Sequence, residues 1–284
     1  CVSRNNSQYG LYHGSGAYNT RWQNGVIWSN GYGVYVANMG NGDLTIDNTM
    51  LGVFLPTKYA FYLYGGALTS DYNNIYRWNE GRVGYRYNSV TPELPTNDIT
   101  LTDWARETGQ DRHSLSHEPL FSHVESNDYH LLSIAGWYDP SSNAYVVFDT
   151  NTTPVTSPMI DAGRPTFVFT NEPAPNGSRI NIGLYGDSTE ASLSPSTGRF
   201  TCVSLNDGGW TRGIVSLFWV ASGEATGHTV HVDYSANAGN TWSSIISNVP
   251  AAEAGCVWTS TLFQSSAVGS WRVVSEQDGT IQDT

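Results

Sequence analysis

The densest group of side chains able to do chemistry lies in the middle of the chain, where His113, His117, His123 and His130 are interleaved with Asp111, Glu118 and Asp128. Two imidazoles and one further donor begin a Zn²⁺ site, and His113 and His117 are four apart, a spacing that shares one helical face. Pro119 and the extended Leu120-Phe121 oppose a helix there, so hydrogen-bonded structural histidines are expected instead. A second set, Asp43, Asp47 and Asp71 with Arg77, Arg82 and Arg86, supplies the residue types of a polysaccharide lyase: acids that hold calcium and an arginine acting as base. No motif fixes their geometry. No catalytic, cofactor-binding or metal residue is therefore assigned, and calcium is the one cofactor left open. A third set is aromatic. Tyr12, Trp28, Tyr35, Tyr62 and Trp78 are candidates to stack on the apolar faces of pyranose rings, against the plainer reading that they fill ladders and surface.

The aromatic residues belong to a phrase that returns: Tyr9-Gly10-Leu11-Tyr12, Tyr32-Gly33-Val34-Tyr35 and Tyr59-Ala60-Phe61-Tyr62 start 23 and then 27 residues apart, and Val83-Gly84-Tyr85-Arg86 follows one period later. Each copy alternates in character and follows turn residues, as in Asn5-Asn6-Ser7, Trp28-Ser29-Asn30-Gly31 and Asp71-Tyr72-Asn73-Asn74. A unit this short cannot bury its own apolar face. Stacking on its neighbours completes a core. Candidate strands are Leu11-Tyr12, Val26-Trp28, Val34-Ala37, Leu44-Ile46, Ala60-Tyr64 and Val83-Tyr87. Several short strands per period predict a right-handed parallel β-helix, a solenoid with equivalent side chains in columns.

Composition agrees with strands and turns: 284 residues include 29 Gly, 17 Tyr and 10 Trp, and only 13% are charged. Lys58 is the single lysine, and the formal charge is −12. Nucleic acid and anionic membranes are poor partners, since both need a basic patch, and no nucleic-acid partner is expected. The same field opposes polyanionic sugars unless calcium mediates. No apolar run is long enough to span a bilayer. The chain starts at Cys1 inside what reads as a repeat unit, so it is expected to be the C-terminal part of a longer protein; Cys1 is a free thiol, a trimmed end or a lipid-bearing first residue.

From residue 91 to 190 prolines break the pattern, beginning with Pro92 and Pro95, and Leu101–Thr108 is the one short helix, capped by Thr102 or Asp103. Leu101-Thr102-Asp103-Trp104, Thr108-Gly109-Gln110-Asp111, His113-Ser114, Glu118-Pro119-Leu120-Phe121, Asp128-Tyr129-His130-Leu131, Ser157-Pro158-Met159-Ile160-Asp161-Ala162-Gly163 and Arg179-Ile180-Asn181-Ile182-Gly183-Leu184-Tyr185-Gly186 occur in that order. This series resembles the closing segment of secreted bacterial right-handed parallel β-helix repeat proteins. The resemblance implies the solenoid fold over residues 1–190, an irregular cap and an extracellular or cell-surface location. It implies no reaction.

Residues 199–284 change rhythm, with six short strands: Phe200-Leu205, Ile214-Val220, His228-Tyr234, Trp242-Asn248, Cys256-Leu262 and Ser270-Glu276. They predict an immunoglobulin or fibronectin type III-like β-sandwich one strand short, its last strand lost or donated by another molecule. Cys202 and Cys256 both fall in these strands, where a disulfide would suit an oxidising compartment; two buried thiols are the alternative. Ser235-Ala236-Asn237-Ala238-Gly239-Asn240-Thr241-Trp242 resembles the Asp-box hairpin of sialidases, with Asn237 at the Asp position. That motif is a turn device. Asn5, Asn151 and Asn176 fit the N-glycosylation pattern.

Catalytic signatures of solenoid enzymes are missing. Polygalacturonases resemble one another in Asn-Thr-Asp, Asp-Asp, Gly-His-Gly and Arg-Ile-Lys motifs; this chain has Asn19-Thr20-Arg21, no adjacent aspartates, Gly227-His228-Thr229 outside the solenoid and Arg179-Ile180-Asn181. The sequence thus predicts a non-catalytic structural or adhesive protein, with self-association through open β edges. The alternatives are a fragment of a polysaccharide lyase or glycoside hydrolase, or a carbohydrate-binding module.

Overall fold

The computed structural model describes residues 1–37, 42–87 and 96–284, with the backbone alone for 96–98; Pro92 and Pro95 lie outside the described residues. The chain divides into two compact units, Cys1–Ser194 with Asn206–Gly209, and Pro195–Leu205 with Trp210–Thr284.

The first unit is a parallel β-solenoid. Its three complete turns are β1 (Val2–Arg4), β2 (Tyr9–His13) and β3 (Thr20–Gln23); β4 (Val26–Trp28), β5 (Tyr32–Ala37) and β6 (Asp43–Asp47); and β7 (Met50–Val53), β8 (Tyr59–Gly65) and β9 (Ala67–Asp71). A fourth turn begins with β10 (Asn74–Arg77) and β11 (Arg82–Arg86). Like strands pair in parallel, giving sheets ordered β1-β4-β7-β10, β2-β5-β8-β11 and β3-β6-β9, with β12 (Thr96–Asp98) added antiparallel to β11. The register sets Ile27, Leu51 and Ile75 in one column and Leu44 beside Leu68, all in a single buried core. Hydrogen bonds run between turns rather than within one, so no turn is stable without the next.

Corners recur at fixed places. Asn24, Asn48 and Tyr72 have φ of 48°, 48° and 56°, a left-handed conformation that asparagine tolerates better than most residues. These corners also carry the closing segment. Asn24 donates to the Gly186 carbonyl at 3.1 Å, and Asn48 accepts from the Arg164 amide at 2.8 Å. The helix α1 (Leu101–Thr108) is as expected, but its cap is Thr100, whose hydroxyl accepts from the Asp103 amide at 3.0 Å. Thr102 and Asp103 lie inside the first turn because the chain becomes helical one residue after Thr100. Trp104 of α1 stacks on Phe61 at 5.2 Å. Gly84, next in the column after Phe61, makes room for it: a Cβ there would lie 2.2 Å from the indole. Two small hairpins, β13 (Phe121–His123) with β14 (Asp128–Leu131) and β15 (Trp137–Asp139) with β16 (Ala144–Val146), complete this unit.

The second unit is sandwich-like. One antiparallel sheet is ordered β17 (Arg199–Cys202), β18 (Ile214–Ser222), β21 (Gly255–Thr259); the other is β20 (Ser243–Pro250), β19 (Thr229–Ser235), β22 (Ser270–Ser275), β23 (Gln282–Asp283). Both contribute to one core that contains Leu217, Trp219, Val230, Val232, Trp258, Trp271 and Val273. Two expectations are corrected here. The seventh strand is present in the chain itself: β23 pairs with β22, and the Asp283 carboxylate accepts from the Cys202 amide at 2.6 Å. No donor strand is needed. Cys202 and Cys256 are not bonded to each other. Strand β18 lies between their strands, two spacings or about 9–10 Å across, which exceeds the ~7 Å that a disulfide spans. The hairpin after β19 behaves as the turn device its sequence suggested. Asn237 accepts from the Thr241 amide at 2.9 Å, and Ser235 accepts from the Gly239 amide at 2.8 Å.

Candidate functional site

The repeated phrase places its tyrosines in columns on one sheet. Tyr12, Tyr35, Tyr62 and Tyr85 are register partners on β2, β5, β8 and β11. Their ring centroids are 5.5, 5.0 and 4.4 Å apart with interplanar angles of 7°, 14° and 16°. Those separations follow the strand spacing of about 4.8 Å. A second column runs through Tyr9, Tyr32 and Tyr59, with separations of 5.9 and 6.2 Å. Tyr64 and Tyr87 form a further stacked pair at 4.6 Å.

Stacking determines what a ligand would meet. In the column, Tyr35 and Tyr62 have both faces covered by neighbouring rings, so a pyranose has no flat surface to lie on there. Ring edges and hydroxyls remain. Burial raises the Tyr35 phenol above its usual range, and Tyr62 is raised further by burial and then by the adjacent Tyr85. Both phenols therefore stay protonated and able to donate across the physiological range. The four parallel strands hold eight of the 17 tyrosines and none of the 25 acids. Two cations sit against this surface: Lys58 Nζ is 4.2 Å from the Tyr32 ring centroid, and the Arg82 guanidinium is 5.9 Å from that of Tyr59.

Of the aromatic residues singled out by sequence, the structure brings Tyr12, Tyr35 and Tyr62 together and separates the two tryptophans from them. Trp28 is only 8% exposed, packed among Phe54, Tyr76 and Phe121. It cannot meet a sugar because it lies on a different sheet under a closed aromatic cluster. Trp78 is exposed but follows β10, away from the columns. Sequence reasoning missed Tyr9, Tyr32, Tyr59 and Tyr85 as parts of one surface, and missed Lys58 and Arg82. The first position of the repeated phrase carried the signal for three of the tyrosines.

The polar candidates are engaged structurally. Asp47 is buried and bound by Arg21 at 2.9 Å and by Arg164, while its register neighbour Asp71 binds His113 Nδ1 at 2.8 Å. Asp43 lies beside Ala67, so the three acids form no open cluster. Arg77 pairs with Asp207 at 3.1 Å. Asp111 accepts from Ser70, Asn73, Ser114 and the Trp104 indole; burial nevertheless pushes its carboxyl up to about 6. His130 binds Asp128 and stacks on Tyr185 at 3.6 Å, His117 takes the Asn74 carboxamide on its amide at 3.0 Å, and His123 contacts Ser122. Among the described residues no three His, Cys, Asp or Glu side chains are placed to hold a metal ion. In the closing segment Glu172 is buried, with one carboxylate oxygen accepting from the Asn181 and Asp187 amides and the other without a partner among the described residues. Burial pushes this carboxyl up to about 7.

Asn5 and Asn151 are exposed, and Asn176 is half-buried with its amide on the Glu172 carbonyl at 3.2 Å. No helix is long and apolar enough to cross a membrane among the described residues. The structure thus defines an all-β chain: a parallel solenoid displaying tyrosine columns, and a sandwich-like unit. Compared with protein-family models, curated proteins and solved structures, the chain matches none.

Proposed function

We propose that this chain is a non-catalytic structural and adhesive part of a bacterial extracellular or cell-surface protein, with the tyrosine columns as its adhesive face. The observation that carries this reading is the column of Tyr12, Tyr35, Tyr62 and Tyr85, repeated turn after turn on an outer sheet. Of the carboxylates and arginines that a lyase would use, Asp47, Asp71 and Arg77 are tied into ion pairs instead. Self-association between copies through β edges is part of this proposal, because an unpaired strand edge is a template for pairing.

Incubation with plant and microbial glycans should give neither unsaturated uronides absorbing in the ultraviolet nor new reducing ends. The protein should be retained on polysaccharide matrices, and a Tyr35→Ser/Tyr62→Ser variant should be retained less. Turnover of any glycan overturns the reading. Sizing across a dilution series tests assembly separately, and a strictly monomeric profile removes that part.

A further inference from the structure

Whole-chain charge misdescribes the tyrosine face. The chain carries −12 overall, yet the four parallel strands contain no carboxylate. Several arginines elsewhere are neutralised by acids, Arg21 and Arg164 by Asp47, Arg77 by Asp207 and Arg272 by Asp233, while others such as Arg4 and Arg179 are held by backbone carbonyls. Lys58 and Arg82 are different. Among the described residues neither has a carboxylate partner; each lies against a tyrosine ring, and Arg82 also donates to the Tyr59 hydroxyl at 3.3 Å. A cation held on an aromatic face is positioned without losing its charge. Beside these two charges runs the row of protonated phenols.

Resting on the adhesive reading above, we propose that this face binds an extended acidic glycan, whose carboxylate or sulfate groups reach Lys58 and Arg82 while its hydroxyls meet the phenol row. Charge complementarity selects the sign of the ligand. Repetition selects a polymer, because the same donors recur on successive turns and a small anion would use only one turn. Acids more than about 8 Å away oppose this weakly at physiological salt, where they are screened. Contact is governed by the local surface.

The test is affinity electrophoresis with polygalacturonate, chondroitin sulfate and neutral xylan, in EDTA at about 0.15 M salt. One or both polyanions should retard the protein and xylan should not; the responding polymer distinguishes carboxylate from sulfate recognition. A Lys58→Gln/Arg82→Gln variant with an unchanged melting temperature should lose most of the retardation. Arg212→Gln, an exposed charge in the sandwich-like unit, should keep it. Equal binding of xylan, a requirement for calcium, or retention that survives the double variant each overturns the inference and leaves the adhesive reading standing. A change in sizing without a change in glycan retention also overturns it, by showing that the face meets a second copy. Cleavage of a bound polyanion would instead sink the non-catalytic reading while the binding inference survived.

Discussion

The two units place their most repeated aromatic residues differently. In the sandwich-like unit Trp219, Trp258 and Trp271 point into the core, and the indoles of Trp219 and Trp271 donate to the Ala251 and Ser204 carbonyls at 3.0 and 2.8 Å. In the solenoid, branched residues together with Phe61 and Trp104 fill the interior, and the repeated tyrosines line the outside. Parallel stacking explains the difference. When every strand lies in register above an equivalent strand, an outward aromatic residue meets its own kind above and below, and ring on ring provides the shelter that a core provides elsewhere. Antiparallel strands of unlike sequence offer no such match, so their rings gain most from burial.

That contrast can be broken by experiment. Trp219→Ala should destabilise the sandwich-like unit by about 3–5 kcal/mol, the usual cost of deleting a buried large aromatic ring, measured by denaturant unfolding followed in that unit. A loss below about 1 kcal/mol would mean that the inward rings are not the core of that unit.

The solenoid has its own buried liability in Glu172. Its carboxyl is raised from 4.5 to about 7, so the folded state binds the proton more tightly than the unfolded state. Stability from this group is present below pH 4.5 and is lost as pH rises to about 7, an effect of about 3 kcal/mol. Asp111, raised to about 6, acts with the same sign at lower pH. Between pH 6 and 8 the slope therefore belongs chiefly to Glu172. Glu172→Gln should flatten the melting temperature over that window, and an unchanged slope would show that the carboxyl titrates normally.

On the outside of the solenoid, Tyr35→Ala should cost about 1–1.5 kcal/mol, the scale of aromatic pair energies beyond area burial. A cost equal to that of Trp219→Ala would erase the distinction between sheltering columns and a core. Smallest of all, Asn237→Ala removes the acceptor for the Thr241 amide and should cost about 0.5–1.5 kcal/mol by thermal unfolding.

The sequence made most of the tyrosine column legible because the register of a parallel stack is the repeat itself: Tyr12, Tyr35 and Tyr62 hold the fourth place of the phrase and are register partners, whereas Tyr85, third in Val83-Gly84-Tyr85-Arg86, joins them only once the strands are paired. The six longer strands of the sandwich-like unit were also readable from their β-branched and aromatic runs. Strands such as β3 and β9 were not, since Thr20–Gln23 and Ala67–Asp71 are short and mixed in polarity and become strands only by pairing with β6. Gln282–Asp283 is shorter still, defined by its partners β22 and Cys202 rather than by propensity. The cysteines misled for a different reason. Counting thiols says nothing about which strand separates them. Net charge is coarse in another way, because a sum over 284 residues does not show that the four parallel tyrosine-bearing strands contain no acid.

Gly84 has a consequence for length. The interior column descends from Leu11 through Val34 to Phe61 and then gives up its side chain, leaving the volume to an indole that arrives from α1. A turn added at that end would have to evict Trp104. The ruler of this rod is thus written at one vacancy, and Gly84→Leu would contest the space that tells the coil to stop winding.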